Sequence, residues 1–174
     1  MRVNATMTGR IADSGAITAR ATGALSRPLE LPGATIRTLA FAANVSGQMA
    51  APRIDLDVSN GALTTAGMKV ERIAGEAQAT LGDRLAGDFT LSGGSEGQLL
   101  AVAGRLQGAK GSYGISNLNA RLGGVQVTAP LLSYDKGVFS AAFDANGSLE
   151  GFAGLDRGTL AARGEVSVGD ELAL

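Results

Sequence analysis

Arg53-Ile54-Asp55-Leu56-Asp57-Val58-Ser59 decides how this chain is to be read. Side chains of a β-strand change face at every residue, so Ile54, Leu56 and Val58 fall on one side while Arg53, Asp55, Asp57 and Ser59 fall on the other. The same alternation returns along the sequence, over about 3–8, 16–22, 36–46, 53–59, 62–66, 68–73, 75–81, 85–92, 98–107, 112–122, 124–129, 131–135, 138–145 and 158–168. Between these runs stand Asp13-Ser14-Gly15, Asn60-Gly61, Ala66-Gly67, Gly82-Asp83, Gly93-Gly94-Ser95, Gly123-Gly124, Asp135-Lys136-Gly137 and Asn146-Gly147. Gly and Asn tolerate positive φ, so these read as hairpin turns and the whole as an antiparallel meander. Leu149, Phe152, Leu155 and Leu160 offer the one helix-like spacing, but Gly151, Gly154 and Gly158 each cost about 1 kcal/mol in a helix interior.

A loose internal echo accompanies the strands. Gly23-Ala24-Leu25-Ser26-Arg27-Pro28 and Gly47-Gln48-Met49-Ala50-Ala51-Pro52 share the form Gly-x-apolar-x-x-Pro, with partial echoes at Gly124 and Gly147. Their spacing follows no single period, which suits a ladder of unequal hairpins better than a strict solenoid.

Composition narrows the functions. The 174 residues contain 26 glycines, five Phe, two Tyr and no Trp, Cys or His. Large side chains to fill a compact interior are scarce, which points to an elongated body or an unfilled groove. Fifteen basic and sixteen acidic residues, with no basic run, disfavour nucleic-acid binding. Zero cysteine removes disulfides and thiolate metal sites. No window approaches the roughly 18–20 apolar residues of a membrane-spanning helix. Met1-Arg2-Val3-Asn4-Ala5-Thr6 enters a strand directly and Gly169-Asp170-Glu171-Leu172-Ala173-Leu174 shows no obvious stop, so the expectation is one elongated segment, 1–174, of a larger protein.

Candidate catalytic groups are few. Gly93-Gly94-Ser95-Glu96-Gly97 matches a nucleophile-elbow pattern, but no histidine exists to take a proton and no helix is expected after it. Asp55 and Asp57 lie about 7 Å apart on one strand face, a spacing usable for a cation or for glycoside chemistry. Their alternation with Ile54, Leu56 and Val58 marks a solvated face instead. No catalytic residue, metal ligand or cofactor-binding residue is assigned, and the protein is not expected to be an enzyme.

What remains is the apolar face: Leu39, Phe41 and Val45; Ile54, Leu56 and Val58; Phe89 and Leu91; Leu100, Val102 and Leu106; Leu118 and Leu122; Val125 and Val127; Phe139 and Phe143. It suits an all-β, elongated, curled antiparallel sheet forming an open hydrophobic groove. A β-sandwich core or a β-solenoid would use the same pattern. Roughly a dozen strands would make a trough on the order of 55–60 Å long. Its uncapped edges predict self-association.

The run Thr38-Leu39-Ala40-Phe41-Ala42-Ala43-Asn44-Val45-Ser46-Gly47-Gln48-Met49-Ala50-Ala51-Pro52-Arg53-Ile54-Asp55-Leu56-Asp57-Val58, followed by Leu63-Thr64-Thr65-Ala66-Gly67-Met68-Lys69-Val70-Glu71-Arg72-Ile73, resembles the β-repeats of the TamB family within the wider AsmA-like group. That resemblance implies a periplasmic middle segment of a Gram-negative envelope protein with an inner-membrane anchor outside this stretch. It further implies a groove that carries phospholipid acyl chains toward the outer membrane, or that supports assembly of outer-membrane barrels. The implied partners are acyl chains, adjoining β-repeats of the same full-length chain and an outer-membrane barrel reached through other regions; no partner-binding residue carries over. The competing expectation is a structural or adhesive β-solenoid stalk of a secreted or surface protein.

Overall fold

The computed structural model describes residues 3–31, 34–65, 68–109, 111–135, 137–150 and 157–169. Among the described residues there are twelve strands: β1 (Val3–Ile11), β2 (Ala16–Leu25), β3 (Leu29–Leu31), β4 (Ala34–Gln48), β5 (Ala51–Thr65), β6 (Met68–Thr80), β7 (Leu85–Ser95), β8 (Gln98–Ala109), β9 (Ser112–Leu122), β10 (Val125–Asp135), β11 (Val138–Ser148) and β12 (Thr159–Gly169). They form one open antiparallel sheet in the order β1-β2-β4-β5-β6-β7-β8-β9-β10-β11-β12, with β3 joined to β4. Since β3 lies off that path, the eleven strands in line span about 48 Å at ~4.8 Å per spacing. That is shorter than a full dozen strands would give.

The sheet is a single layer. Among the described residues, extensive contacts occur only between hydrogen-bonded neighbours. The fold is therefore neither a sandwich nor a solenoid. Its surface of 11803 Å² exceeds the ~7,900 Å² expected of a compact chain of this mass. The only buried apolar residues described are Val70, Val125, Ala129 and Ala145.

Curvature shows in the alanines. Ala19, Ala21, Ala43, Ala77 and Ala79 on the apolar face are half-buried, whereas Ala24, Ala74, Ala86 and Ala101 on the opposite face are exposed. Ala42 and Ala103 on the outer face are half-buried too, and Ala5 and Ala162 on the edge strands are exposed, but at most interior positions the methyl group is better covered on the apolar side, as a sheet curled toward that side requires.

Bulges bend the strands on the way. Register shifts cross β4–β5 at Ile36–Ala40, β5–β6 at Val58–Leu63 and β6–β7 at Glu71–Ala74, then recur at Ala103–Arg105 and Thr128–Leu132. Asn60, Arg72 and Asn117 adopt positive φ of 52°, 55° and 53° there, and an extra residue of this kind raises twist and kinks its strand. Thr38 Oγ1 donates to the Asn60 carbonyl at 3.0 Å and pins the first kink.

These bulges fuse strands that the sequence separates. The runs 53–59 and 62–66 join through Asn60-Gly61, 68–73 and 75–81 join through Arg72-Ile73-Ala74, and 124–129 joins 131–135 through Pro130. Asn146-Gly147 also lies inside a strand rather than at a turn. The Ala66-Gly67 turn lies outside the described residues. So do residues 151–156, half of the helix-like segment; at its ends the Leu149 N–H donates to the Gly158 carbonyl at 2.9 Å, extending the β11–β12 pairing by one step.

Glycine sets the packing within the layer. A Cβ at Gly23 would lie 2.6 Å from Phe41 Cζ, one at Gly104 3.0 Å from Phe89 Cε1, and one at Gly108 2.6 Å from Tyr113 Cδ1. Each ring lies flat over a glycine on the neighbouring strand. At Gly164 the three nearest atoms all belong to Phe143, the closest at 2.8 Å. Gly164→Ala is expected to cost about 1 kcal/mol by overpacking. In the Phe143→Leu background the cost should shrink, giving a coupling of about 0.5 kcal/mol or more in a urea-unfolding double-mutant cycle.

Candidate functional site

Ladder register places the apolar residues in rows that run along the groove, because directly paired residues share a face. One row reads Ala5, Gly23, Phe41, Val58, Gly75, Leu91, Val102, Ala120, Val127, Ala145 and Ala162 from edge to edge. A parallel row reads Gly9, Ala19, Val45, Ile54, Ala79, Gly87, Leu106, Ile115, Leu132, Ala141 and Val166. Leu56 and Phe89 stand between them through Ala77. Leu100, Leu122 and Val125 form a third line toward one rim. Phe143 sits on the same face opposite Gly164, and Leu118 pairs with Ala129 beside the second set of bulges. Leu39 follows the alternation from Phe41 but has no ladder partner, since the first bulge falls there.

The residues singled out from sequence thus come together on one continuous wall. Val125 is buried, Phe139 is exposed, and the other fifteen (Leu39, Phe41, Val45, Ile54, Leu56, Val58, Phe89, Leu91, Leu100, Val102, Leu106, Leu118, Leu122, Val127 and Phe143) are half-buried. Half-burial with no facing layer means that each side chain leans on its neighbours and leaves its upper surface to the groove. No charged residue stands in any of these rows.

Two hollows deepen the wall between β7 and β12. One of about 250 Å³ is lined by Leu100, Leu122, Val125, Val127, Leu149 and Leu160. The other, about 240 Å³, lies toward the opposite strand ends, among Leu85, Leu106, Ile115, Leu132, Tyr113, Tyr134 and Phe139. Tyr113 pairs with Tyr134, which pairs with Phe139, so three rings line one rim. The Tyr113 ring is 53% exposed. Sequence reading missed these tyrosines together with Ile115, Leu132 and Leu160. Tyr113 and Tyr134 flank turn residues, where alternation alone does not say which face a side chain takes; cross-strand register supplies it.

The opposite face carries the charges. Arg53 Nε donates to Asp55 Oδ1 at 3.1 Å and Arg53 Nη2 to Gln78 Oε1 at 2.8 Å. Arg105 Nε donates to Asp88 Oδ1 at 3.0 Å, and Arg163 Nε to Asp144 Oδ1 at 2.6 Å. The hydrogen bond to Asp144, and then its charge, raise the Arg163 pKa above the ordinary value, so Arg163 stays cationic wherever Asp144 is ionised. Exposed pairs of this kind contribute little stability and mainly keep the outer surface wet. Asp57 lies directly opposite Glu76, an unfavourable like-charge pair that water must screen.

The other sequence candidates resolve locally. Ser95 ends β7 and pairs with Gln98 across a two-residue turn in which Glu96 and Gly97 have φ of 49° and 82°. That is a tight hairpin leading into a strand, not a strand-to-helix elbow. Among the described residues no group of three or more acidic side chains is placed to hold a metal ion.

Comparison with protein-family models, with curated proteins and with solved structures finds no match to the chain. The site is accordingly defined by its own geometry: an uncharged apolar wall on the concave side of an open sheet. Leu56→Ala is expected to cost about 1–2 kcal/mol, because part of its surface is already wet, against the 2–5 kcal/mol of a closed core. Urea unfolding with a fixed m-value measures it, and a loss in the closed-core range would contradict an open wall.

Proposed function

We propose that this chain is a lipid-carrying groove segment of a TamB-like envelope protein, located in the periplasm, whose apolar wall shields phospholipid acyl chains between inner and outer membranes. The observation that carries the reading is the single-layer sheet whose charge-free concave face continues to both edge strands with no second layer over it. Each acyl CH₂ removed from water is worth about 0.8 kcal/mol, so such a wall stabilises a chain along its whole length. The groove's ~48 Å is about three times the ~15 Å thickness of one leaflet's hydrocarbon.

A headgroup would stay at the open mouth. Tyr113 and Tyr134 on one rim offer the combination of apolar ring and polar tip that suits a water–hydrocarbon boundary. The role asks for no acid, base, metal or nucleotide from this segment. Support for outer-membrane barrel assembly would use the same wall for unpaired apolar strands, through partners contacted outside this stretch.

The test is native mass spectrometry with lipid extraction on protein purified from a Gram-negative host. The wild type should carry phospholipid. Leu56→Asp or Leu122→Asp, checked for retained β-structure by circular dichroism, should lose it. Leu99→Asp, on the outer face of β8 where Leu99 is 76% exposed, should keep it. A lipid-free wild type, or equal loss from Leu99→Asp, would overturn the proposal in favour of a structural stalk.

A further inference from the structure

The outer edge of β12 (Thr159–Gly169), which no described strand covers, has a pattern that fits a second copy of itself. The Leu149 N–H bond to the Gly158 carbonyl lies one step beyond the β11–β12 ladder, in the same register. Bonded and non-bonded pairs alternate along an antiparallel ladder. Leu160, Ala162, Gly164, Val166 and Val168 therefore exchange bonds with β11. The residues between them, Ala161, Arg163, Glu165 and Ser167, turn their N–H and C=O groups outward. An antiparallel partner must set outward residues against outward residues.

Charge then selects one register. With a two-fold axis through Gly164, Arg163 of each copy faces Glu165 of the other, and Ala161 faces Ser167. Sliding by two residues one way sets Arg163 against Arg163, and the other way sets Glu165 against Glu165. Both slipped registers oppose like charges. A one-residue slip sets an outward backbone group against an inward one and throws the apolar side chains to the wrong face.

The apolar face agrees with the same axis. Ala162 then meets Val166 and Leu160 meets Val168, and a two-fold axis normal to the sheet keeps both concave faces on one side. Val166 and Val168, 42% and 60% exposed, would gain same-face neighbours. At the centre Gly164 leaves space that Phe143 already fills from its own strand. The other edge, β1 (Val3–Ile11), carries Arg10 as its sole charge, so charge specifies no register there.

We propose that the protein forms a two-fold dimer in which β12 pairs antiparallel with β12 of a second copy about Gly164, fixed by reciprocal Arg163–Glu165 pairs. The inference is independent of what the groove carries, and in a longer chain an adjoining repeat and a second copy would compete for this one edge. The merged sheet would run about 100 Å, twenty-two strands in line.

Sedimentation velocity over a concentration series of the whole chain tests it. The wild type should pass from monomer to a closed dimer. Glu165→Arg, which sets two arginines face to face on each side of the axis, should raise the dissociation constant about tenfold or more. Because Asp144 of the same chain already holds Arg163, the charge swap R163E/E165R is made in the Asp144→Asn background, where it should restore dimerisation toward the value of Asp144→Asn alone. Ser167→Pro removes an outward N–H without touching the β11 ladder, and should weaken the dimer while leaving the urea midpoint of the monomer nearly unchanged. A wild type monomeric up to its solubility limit would overturn the proposal. So would a dimer indifferent to both Glu165→Arg and Ser167→Pro, a charge swap that fails to recover, or oligomers that keep growing with concentration, as β1-to-β12 pairing would produce.

Discussion

Every large apolar side chain in this sheet must find its cover within its own layer, because among the described residues no second layer provides it. Glycine on the adjacent strand makes that possible. Phe41 lies over Gly23, Phe89 over Gly104, Tyr113 over Gly108 and Phe143 over Gly164. Glycine inside a strand is ordinarily a weakness, since it packs nothing and surrenders more backbone freedom on folding. Here the missing Cβ is the seat for a ring. The recumbent rings and the Gly and Ala beside them leave a shallow wall, whereas upright large residues in every row would fill the concavity or demand a facing sheet.

That constraint also sets how stability is distributed. Since strands touch extensively only their ladder neighbours, the sheet behaves as a row of hairpins whose energies are local plus nearest-neighbour, much as in repeat proteins. Contacts close in sequence favour rapid local folding over long searches. The bulges are the exceptions, because a non-glycine residue with positive φ costs of order 1 kcal/mol or more. Asn60 and Asn117 are among the residue types that bear this best; Arg72 is not. Its side chain lies over Gly94, with Nη2 3.1 Å from where a Cβ would stand, so the same glycine device accommodates the kink.

The all-β class, the meander and the membership of the apolar face were legible in the sequence, because alternation reports the face of each residue without reference to any partner. Ile54, Leu56 and Val58 needed only their own strand. What alternation does not report is continuity across a bulge. Asn60-Gly61 carries the chemistry of a hairpin turn, yet a left-handed Asn followed by glycine equally suits a kink within a longer strand. Pro130 likewise divided one strand into two, although the register shift at Thr128–Leu132 absorbs its missing N–H. The ring-on-glycine pairs were hidden for a further reason. Gly23 and Phe41 are eighteen positions apart, whereas Gly108 and Tyr113 are five, so no fixed spacing announces them.

An uncharged wall of this kind has consequences for any cargo. With all Asp, Glu and Arg of the ladder rows on the outer face, the wall offers no counter-charge to a headgroup and no fixed anchor for a polar tip. Affinity for an acyl chain would accumulate at about 0.8 kcal/mol per shielded CH₂. Sliding by one carbon, however, exchanges one such contact for another of equal kind. Binding and mobility are therefore compatible on this surface, which is the physical requirement of a conduit rather than of a storage pocket. A charged residue in a central row, such as the one that holds Leu91, Val102 and Val127, would break that equivalence by creating a preferred stop. The two hollows near Leu122 and Leu132 are wider places on an otherwise even path, and because both are lined chiefly by aliphatic and aromatic carbon they alter the depth of the groove without changing its chemistry.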